Sequence, residues 1–242
     1  LPMNQPVQEQ QVKVYAEQWI NEPEAKQMLT QGLTAYLAMN DAFQSIASRI
    51  HLIRKAKYTL DLQYYIWADD FIGNLMLHEL LKAADRGVKV RLLIDDQNGT
   101  KIDRQLSALL RHPNISIKLY NPYKFRHFRV MDYIFRMNRI NHRMHNKLII
   151  ADGAIAVTGG RNISSEYFDA SESFQFTDMD ILFFGKAVNR ANEVFTDFWN
   201  FQLSYPIDQF IHKGSEHDLL TLRKSFERLE QAEQTTDEKV NL

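Results

Sequence analysis

Four residues of chemically useful type fall within one short stretch of the chain, HNKLIIADGAIAVTGGRN (145–162): His145, Lys147, Asp152 and Asn162. The residues between them are apolar enough to form a buried strand, so the polar ones are placed for a reason. Imidazole titrates near neutrality, and His145 can serve as a nucleophile or a proton donor without extreme tuning. Lys147 is a point charge suited to a non-bridging phosphate oxygen, and the Asn162 amide adds a directed donor to charge that develops there. The chemistry that fits such a trio is phosphoryl or phosphodiester transfer. A nucleophilic histidine also needs its second ring nitrogen oriented by an acid. Asp178 and Asp180, in TDMDILFFG, and Glu166, in NISSEYF, are the candidates.

A hairpin brings these residues together. Asp152-Gly153, flanked by apolar residues, is a strong two-residue turn signal, because both positions tolerate positive φ. Pairing around that turn sets Ala151 opposite Ala154, Lys147 opposite Thr158 and His145 opposite Gly160, with Asn162 returning beside the His/Lys end. Gly159 and Gly160 leave room for close approach of chain or ligand. Asp152 is expected elsewhere: seven residues of strand at roughly 3.3 Å each put it on the order of 20 Å from His145.

The surrounding pattern supplies the scaffold. A helix is expected over 39–56, capped by Asn40 or Asp41, with Phe43, Ile46, Ile50 and Ile53 at helical spacing. Strands are expected over 58–68, 88–96 and 115–121, with helices over 73–87 and 101–112 between them. A further strand (177–185) and helix (188–203) follow the hairpin. This order argues an α/β fold with a mixed, largely parallel sheet sandwiched by helices. Asp95 and Asp96 close the second strand; strand ends are where α/β sheets bind ligands, although a turn or cap role is the plainer expectation. Residues 1–30 read as a polar arm, 31–212 as the folded domain, and 213–242 as a charged tail. In that tail Leu219, Leu222, Phe226 and Leu229 form one helical stripe, and the last residues are expected to be disordered.

Composition excludes several classes. With no cysteine among the 242 residues, disulfides, thiolate catalysis and Cys-type zinc sites are ruled out. A formal net charge of −1 gives no global field for nucleic acid. No apolar run reaches the length of a membrane span. The start, LPMNQPVQEQ, suggests a trimmed piece once preceded by a leader or anchor. One segment, 123–139, interleaves Lys124, Arg126, Arg129, Arg136 and Arg139 with aromatic residues. It suits anionic lipid head groups at an interface, but equally a helix packed over the sheet or a nucleic-acid backbone.

The string His145-x-Lys147-(four)-Asp152-(six)-Gly159-Gly160-x-Asn162 resembles the signature of the phospholipase D superfamily. LDLQYYIWADD, AADRGVKVRLLIDD, YNPY, RMHNK and GGRNISSEYF are similar to bacterial cardiolipin synthases of the C type, over roughly residues 32–206. The resemblance implies a covalent phosphohistidine on one motif's histidine, a second motif's histidine as acid and base, and no metal or cofactor. It makes His145 the nucleophile or its acid partner, places Lys147 and Asn162 on the phosphate, and counts Asp152 with the catalytic signature. Asp178, heading the following strand, is the acid implied behind the imidazole. The substrate implied is a phospholipid (phosphatidylglycerol, phosphatidylethanolamine or cardiolipin) at a bacterial membrane to which the protein is bound peripherally. Such relatives carry two motifs. Among the eight histidines here only His145 has a lysine two positions on. The second motif must therefore come from another half in cis or from a homodimer partner, as in single-motif endonucleases of the superfamily; an isolated half would be catalytically incomplete.

Overall fold

The computed structural model describes residues 19–20, 22–96, 100–123, 143–167 and 179–240, with Tyr167 and 232–240 described as backbone only. The described elements run α1 (Pro23–Thr30), β1 (Thr34–Met39), α2 (Ala42–Lys55), β2 (Thr59–Tyr64), α3 (Phe71–Asp85), β3 (Lys89–Asp95), α4 (Asp103–Leu109) and β4 (Ile115–Tyr120). The hairpin strands β5 (Leu148–Ala151) and β6 (Ile155–Gly159) follow, then β7 (Asp180–Gly185), α5 (Lys186–Asn200), β8 (Ser204–Pro206) and α6 (Glu216–Val240).

The fold is α/β with a mixed sheet, in the order β1-β7-β6-β5-β2-β3-β4-β8 among the described strands. The parallel part is confined to β2, β3 and β4, where α3 and α4 make the crossovers. Every other strand-to-strand pairing among the described strands is antiparallel, so parallel pairs are the minority there. The physical reason is the hairpin: β5 joins β2 antiparallel, and a tight turn obliges β6 to reverse again.

Both faces of the sheet are covered. Leu60, Leu62 and Tyr64 of β2 lie in one apolar layer with Ile53 of α2 and Met76, Leu77 and Leu80 of α3. Ile150, Ala156 and Phe183 form the opposite layer with Val188, Phe195 and Trp199 of α5. Asp61, which points away from the first layer by strand alternation, is balanced by Arg91 at 2.6 Å, and the Arg91 guanidinium lies 4.9 Å from the Phe195 ring.

Local signals explain the helix starts. Asp41, one of the two expected caps, accepts from the Gln44 amide at 2.7 Å. Asp70 caps α3 through the Gly73 amide at 2.9 Å, and Gly73 is required because a Cβ there would lie 1.9 Å from the Ala68 carbonyl oxygen. The buried face of α2 departs from its apolar spacing: Ser45 and Arg49 are buried with Ile46 and Ile53, whereas Phe43 is 63% exposed.

Two expectations at the ends are corrected. Within the described part of the supposed arm, 23–30 is helical and Trp19 and Ile20 are buried. A single aromatic anchored by a hydrogen bond can fix a segment whose average composition is polar. At the other end the expected helix is present and its stripe of Leu219, Leu222 and Phe226 is buried in the layer with α3, while helical backbone runs on to Val240 where disorder was expected.

Candidate active site

The Asp152-Gly153 turn forms as its sequence demands, with φ of 53° and 63° at the two central residues. The Ala154 amide donates to the Ala151 carbonyl at 2.9 Å, closing it. The register beyond the turn is one residue off the expected one: Ala151 pairs with Ile155, and Leu148 with Thr158. Ala154 joins the loop, so three residues rather than two connect β5 and β6.

At the open end of this hairpin three signature residues meet one short piece of chain, Tyr65 and Ile66 at the end of β2. The His145 imidazole lies against the Tyr65 ring, centroids 4.3 Å apart and planes 32° from parallel. The Lys147 ammonium is 5.4 Å from the same ring and donates to the His145 carbonyl at 2.6 Å. The Asn162 side-chain oxygen accepts from the Ile66 amide at 3.0 Å, which fixes the amide so that its donors are on the other end. His145 is exposed, Lys147 half-buried and Asn162 buried. The site thus offers an accessible imidazole beside a cation and an oriented amide.

The loops around it are tied down by carboxylates. Asp95, at the end of β3, accepts from Arg143 at 3.1 Å and from the Met144 amide at 2.9 Å, which fixes the approach to His145. Asp96 accepts from the Tyr123 amide at 2.9 Å. The second oxygen of Asp70 takes the Ser164 hydroxyl at 3.0 Å and the Ser165 amide at 2.6 Å, anchoring the chain just after Asn162. Ile163 bridges to Trp67, so this loop continues beside the end of β2.

Asp180 is engaged elsewhere than on the imidazole. It is fully buried and accepts from Arg49 at 3.1 Å, from Arg161 at 3.2 Å and from the Ser45 hydroxyl. Burial pushes its carboxyl up, but Arg49, Ser45 and Arg161 together outweigh this and hold it below the usual carboxylate range. Arg49 also donates to the Tyr64 hydroxyl at 3.1 Å, joining β2, α2 and β7 below the site. Gly159 serves this network: a Cβ there would sit 1.8 Å from Oδ1 of Asp180, so the missing side chain makes room for protein. Glu166 is exposed on a short 3-10 turn, while the nearby-in-sequence Arg161 pairs with Asp180 and Arg143 with Asp95. Asp178 and the cations Lys124, Arg126, Arg129, Arg136 and Arg139 lie outside the described residues.

Asp152 occupies the far end of the hairpin. It is fully buried, and its carboxylate accepts from the amides of Lys57 at 3.1 Å, Tyr58 at 2.7 Å and Thr59 at 3.0 Å, and from the Trp19 indole at 2.9 Å. Among the described residues, no group of three or more His, Asp or Glu side chains is placed to hold a metal. No helix among them is long and apolar enough to cross a membrane.

Residues 49–199 match the family model described as cardiolipin synthase, PLD-like domain. The chain belongs to that family, within the phospholipase D superfamily. It is 40% identical over 197 residues to cardiolipin synthase C of Escherichia coli, a match covering 81% of this chain and 42% of that protein. Similarity to cardiolipin synthase 1 of Bacillus cereus is 29% over 175 residues, covering 70% of this chain and 33% of the relative. The chain thus spans well under half the length of these relatives. Among solved structures, phosphatidylserine synthase from Haemophilus influenzae superposes with a TM-score of 0.55 at 15% identity, covering 86% of this chain and 48% of that one. NucT from Helicobacter pylori superposes with a TM-score of 0.51 at 15% identity, covering 72% and 98% respectively. These two show a shared fold.

Sequence reasoning singled out His145, Lys147 and Asn162, and named Asp95 at its strand end, but missed Tyr65 and the carboxylate clamp at Asp70. Tyr65 had one readable signal: it directly follows an alternating aromatic strand, at the edge where such sheets bind ligands.

Proposed function

We propose that this chain carries one motif of a phospholipase D-type phosphatidyltransferase, most simply one that makes cardiolipin through a phosphohistidine. The observation that supports it is the convergence of His145, Lys147 and Asn162 on Tyr65 and Ile66. In the reaction, an imidazole nitrogen attacks the phosphodiester phosphorus while the bond to the leaving alcohol breaks. The second motif's histidine gives that alcohol its proton, then takes one from the acceptor. The acceptor oxygen attacks phosphorus and the P–N bond breaks. His145 takes one of these two histidine roles. Lys147 and Asn162 stabilise the non-bridging oxygens, where charge grows, and Asp178 orients the imidazole.

The second motif comes from a further half of the same protein or from a partner copy. Phosphatidylglycerol, phosphatidylethanolamine and cardiolipin are the substrates proposed, and the cations of 124–139 are assigned to anionic head groups at a bacterial membrane surface. Asp152 acts through the scaffold. No metal or other cofactor is called for.

A second reading is a single-motif endonuclease that works as a homodimer. It is favoured by the chain's single His-x-Lys, at His145 and Lys147, which two copies would have to supply twice. Labelled phosphatidylglycerol and single-stranded DNA, offered to the wild type and to His145→Ala, separate the two. Lipid turnover lost in the variant, with DNA untouched, is expected. DNA cleavage lost in the variant, with lipid untouched, overturns the first reading.

A further inference from the structure

Tyr65 follows the last residue of β2 and is half-buried, yet two signature residues share its ring. The His145 imidazole lies against it at 4.3 Å with the planes tilted by 32°, and the Lys147 ammonium lies 5.4 Å from its centre. His145 itself precedes β5 and is exposed, so among the described residues no strand ladder or surrounding core fixes its ring. The Tyr65 ring is the aromatic contact of this imidazole among the described residues.

The backbone reinforces this. Lys147 donates to the His145 carbonyl at 2.6 Å, while Met144, one residue before the imidazole, is pinned by Asp95 at 2.9 Å. These bonds place the Cα of His145 but leave rotation about its side-chain bonds undetermined. The ring of Tyr65 removes that freedom. The next residue, Ile66, holds Asn162 through its amide, so one dipeptide registers all three groups against each other.

We propose that Tyr65 is a positioning residue: its ring fixes the plane of the His145 imidazole and carries the Lys147 ammonium, so the two meet a phosphate in one geometry. This rests on the phosphohistidine reading for its consequence in catalysis, but not for its geometry. A pre-set imidazole reaches attack geometry without a rotamer search, and that advantage appears in kcat more than in KM. The hydroxyl plays no part in the proposal, so phenylalanine should replace tyrosine.

The test compares Tyr65→Phe and Tyr65→Leu in the full chain, in two measurements. Carbon-edited proton NMR of the histidine rings, with His145 identified by the signals lost in His145→Gln, reads the geometry directly. The ring protons of His145 should be shifted upfield by the adjacent phenol, keep that shift in Tyr65→Phe, and lose it in Tyr65→Leu. Turnover of labelled phosphatidylglycerol reads the consequence: kcat falls roughly ten-fold in Tyr65→Leu with KM changed less than about two-fold, and Tyr65→Phe recovers it. Unchanged His145 signals in Tyr65→Leu overturn the proposal, as does equal loss of kcat in both variants. Where one motif by itself turns over no phosphodiester, the NMR comparison alone decides Tyr65.

Discussion

The two ends of the β5–β6 hairpin are made from one signature and treated oppositely by the fold. At the turn, the Asp152 carboxylate is buried under three backbone amides and an indole. At the open end, His145 is exposed and touches a ring, and Lys147 spends one hydrogen bond on a carbonyl. A saturated carboxylate holds structure; an accessible imidazole next to a cation is available for a ligand. A motif fixed as a string therefore mixes residues of two kinds, and spacing along a strand separates them.

The sharpest way to break this division is to remove one residue from each end. His145→Ala should abolish phosphodiester turnover by about a thousand-fold or more, while denaturant unfolding shifts by less than about 0.5 kcal/mol, since an exposed ring is lost. A large loss of stability in that variant would place His145 with the scaffold. Asp152→Ala should do the reverse, destabilising the chain by about 3 kcal/mol because several buried donors lose their acceptor at once. If instead its melting curve matches wild type while turnover is lost, Asp152 belongs with the chemistry.

A third test sharpens the role of Asp180, in the buried network with Arg49 and Arg161. A carboxyl held below its ordinary range contributes stability that is complete above the unfolded-state value and is lost as pH falls through the folded one. Urea midpoints should therefore hold from neutrality down to about pH 4 and then decline. Glu79 and Asp85, also held low by basic partners, add to that decline. Asp180→Asn should lower stability at neutral pH and make the acid decline shallower. An unchanged acid slope would show that the carboxylate contributes nothing as an ion. The smallest effect is expected for Trp19→Phe, which removes one of the donors to Asp152 and should cost about 1 kcal/mol in the same unfolding assay, with turnover unchanged.

Much of the fold was legible because it depends on local chemistry. The Asp152-Gly153 turn needs two positive φ values, and that pair of residues supplies them. Asp41 and Gly87 mark a helix start and a helix end by capping and by positive φ. The strand register was not legible, because whether Ala154 joins the loop depends on how the turn fits the ladder rather than on the turn residues themselves. Nor was the burial of Trp19, whose partner is 133 residues away.

The chain's sequence by itself determined the chemistry on offer: an imidazole, an ammonium and an amide at fixed spacing around a turn, with an aspartate at that turn. These follow from residue type and strand period, which need no partner from elsewhere. Tertiary structure decided which distant groups those residues meet. It put Tyr65 under His145, turned Asn162 onto Ile66, and gave Asp180 to Arg49 and Arg161. Such contacts arise when β2, β5, β6 and β7 assemble side by side. They reflect the order of strands across the sheet, which no single stretch of residues encodes.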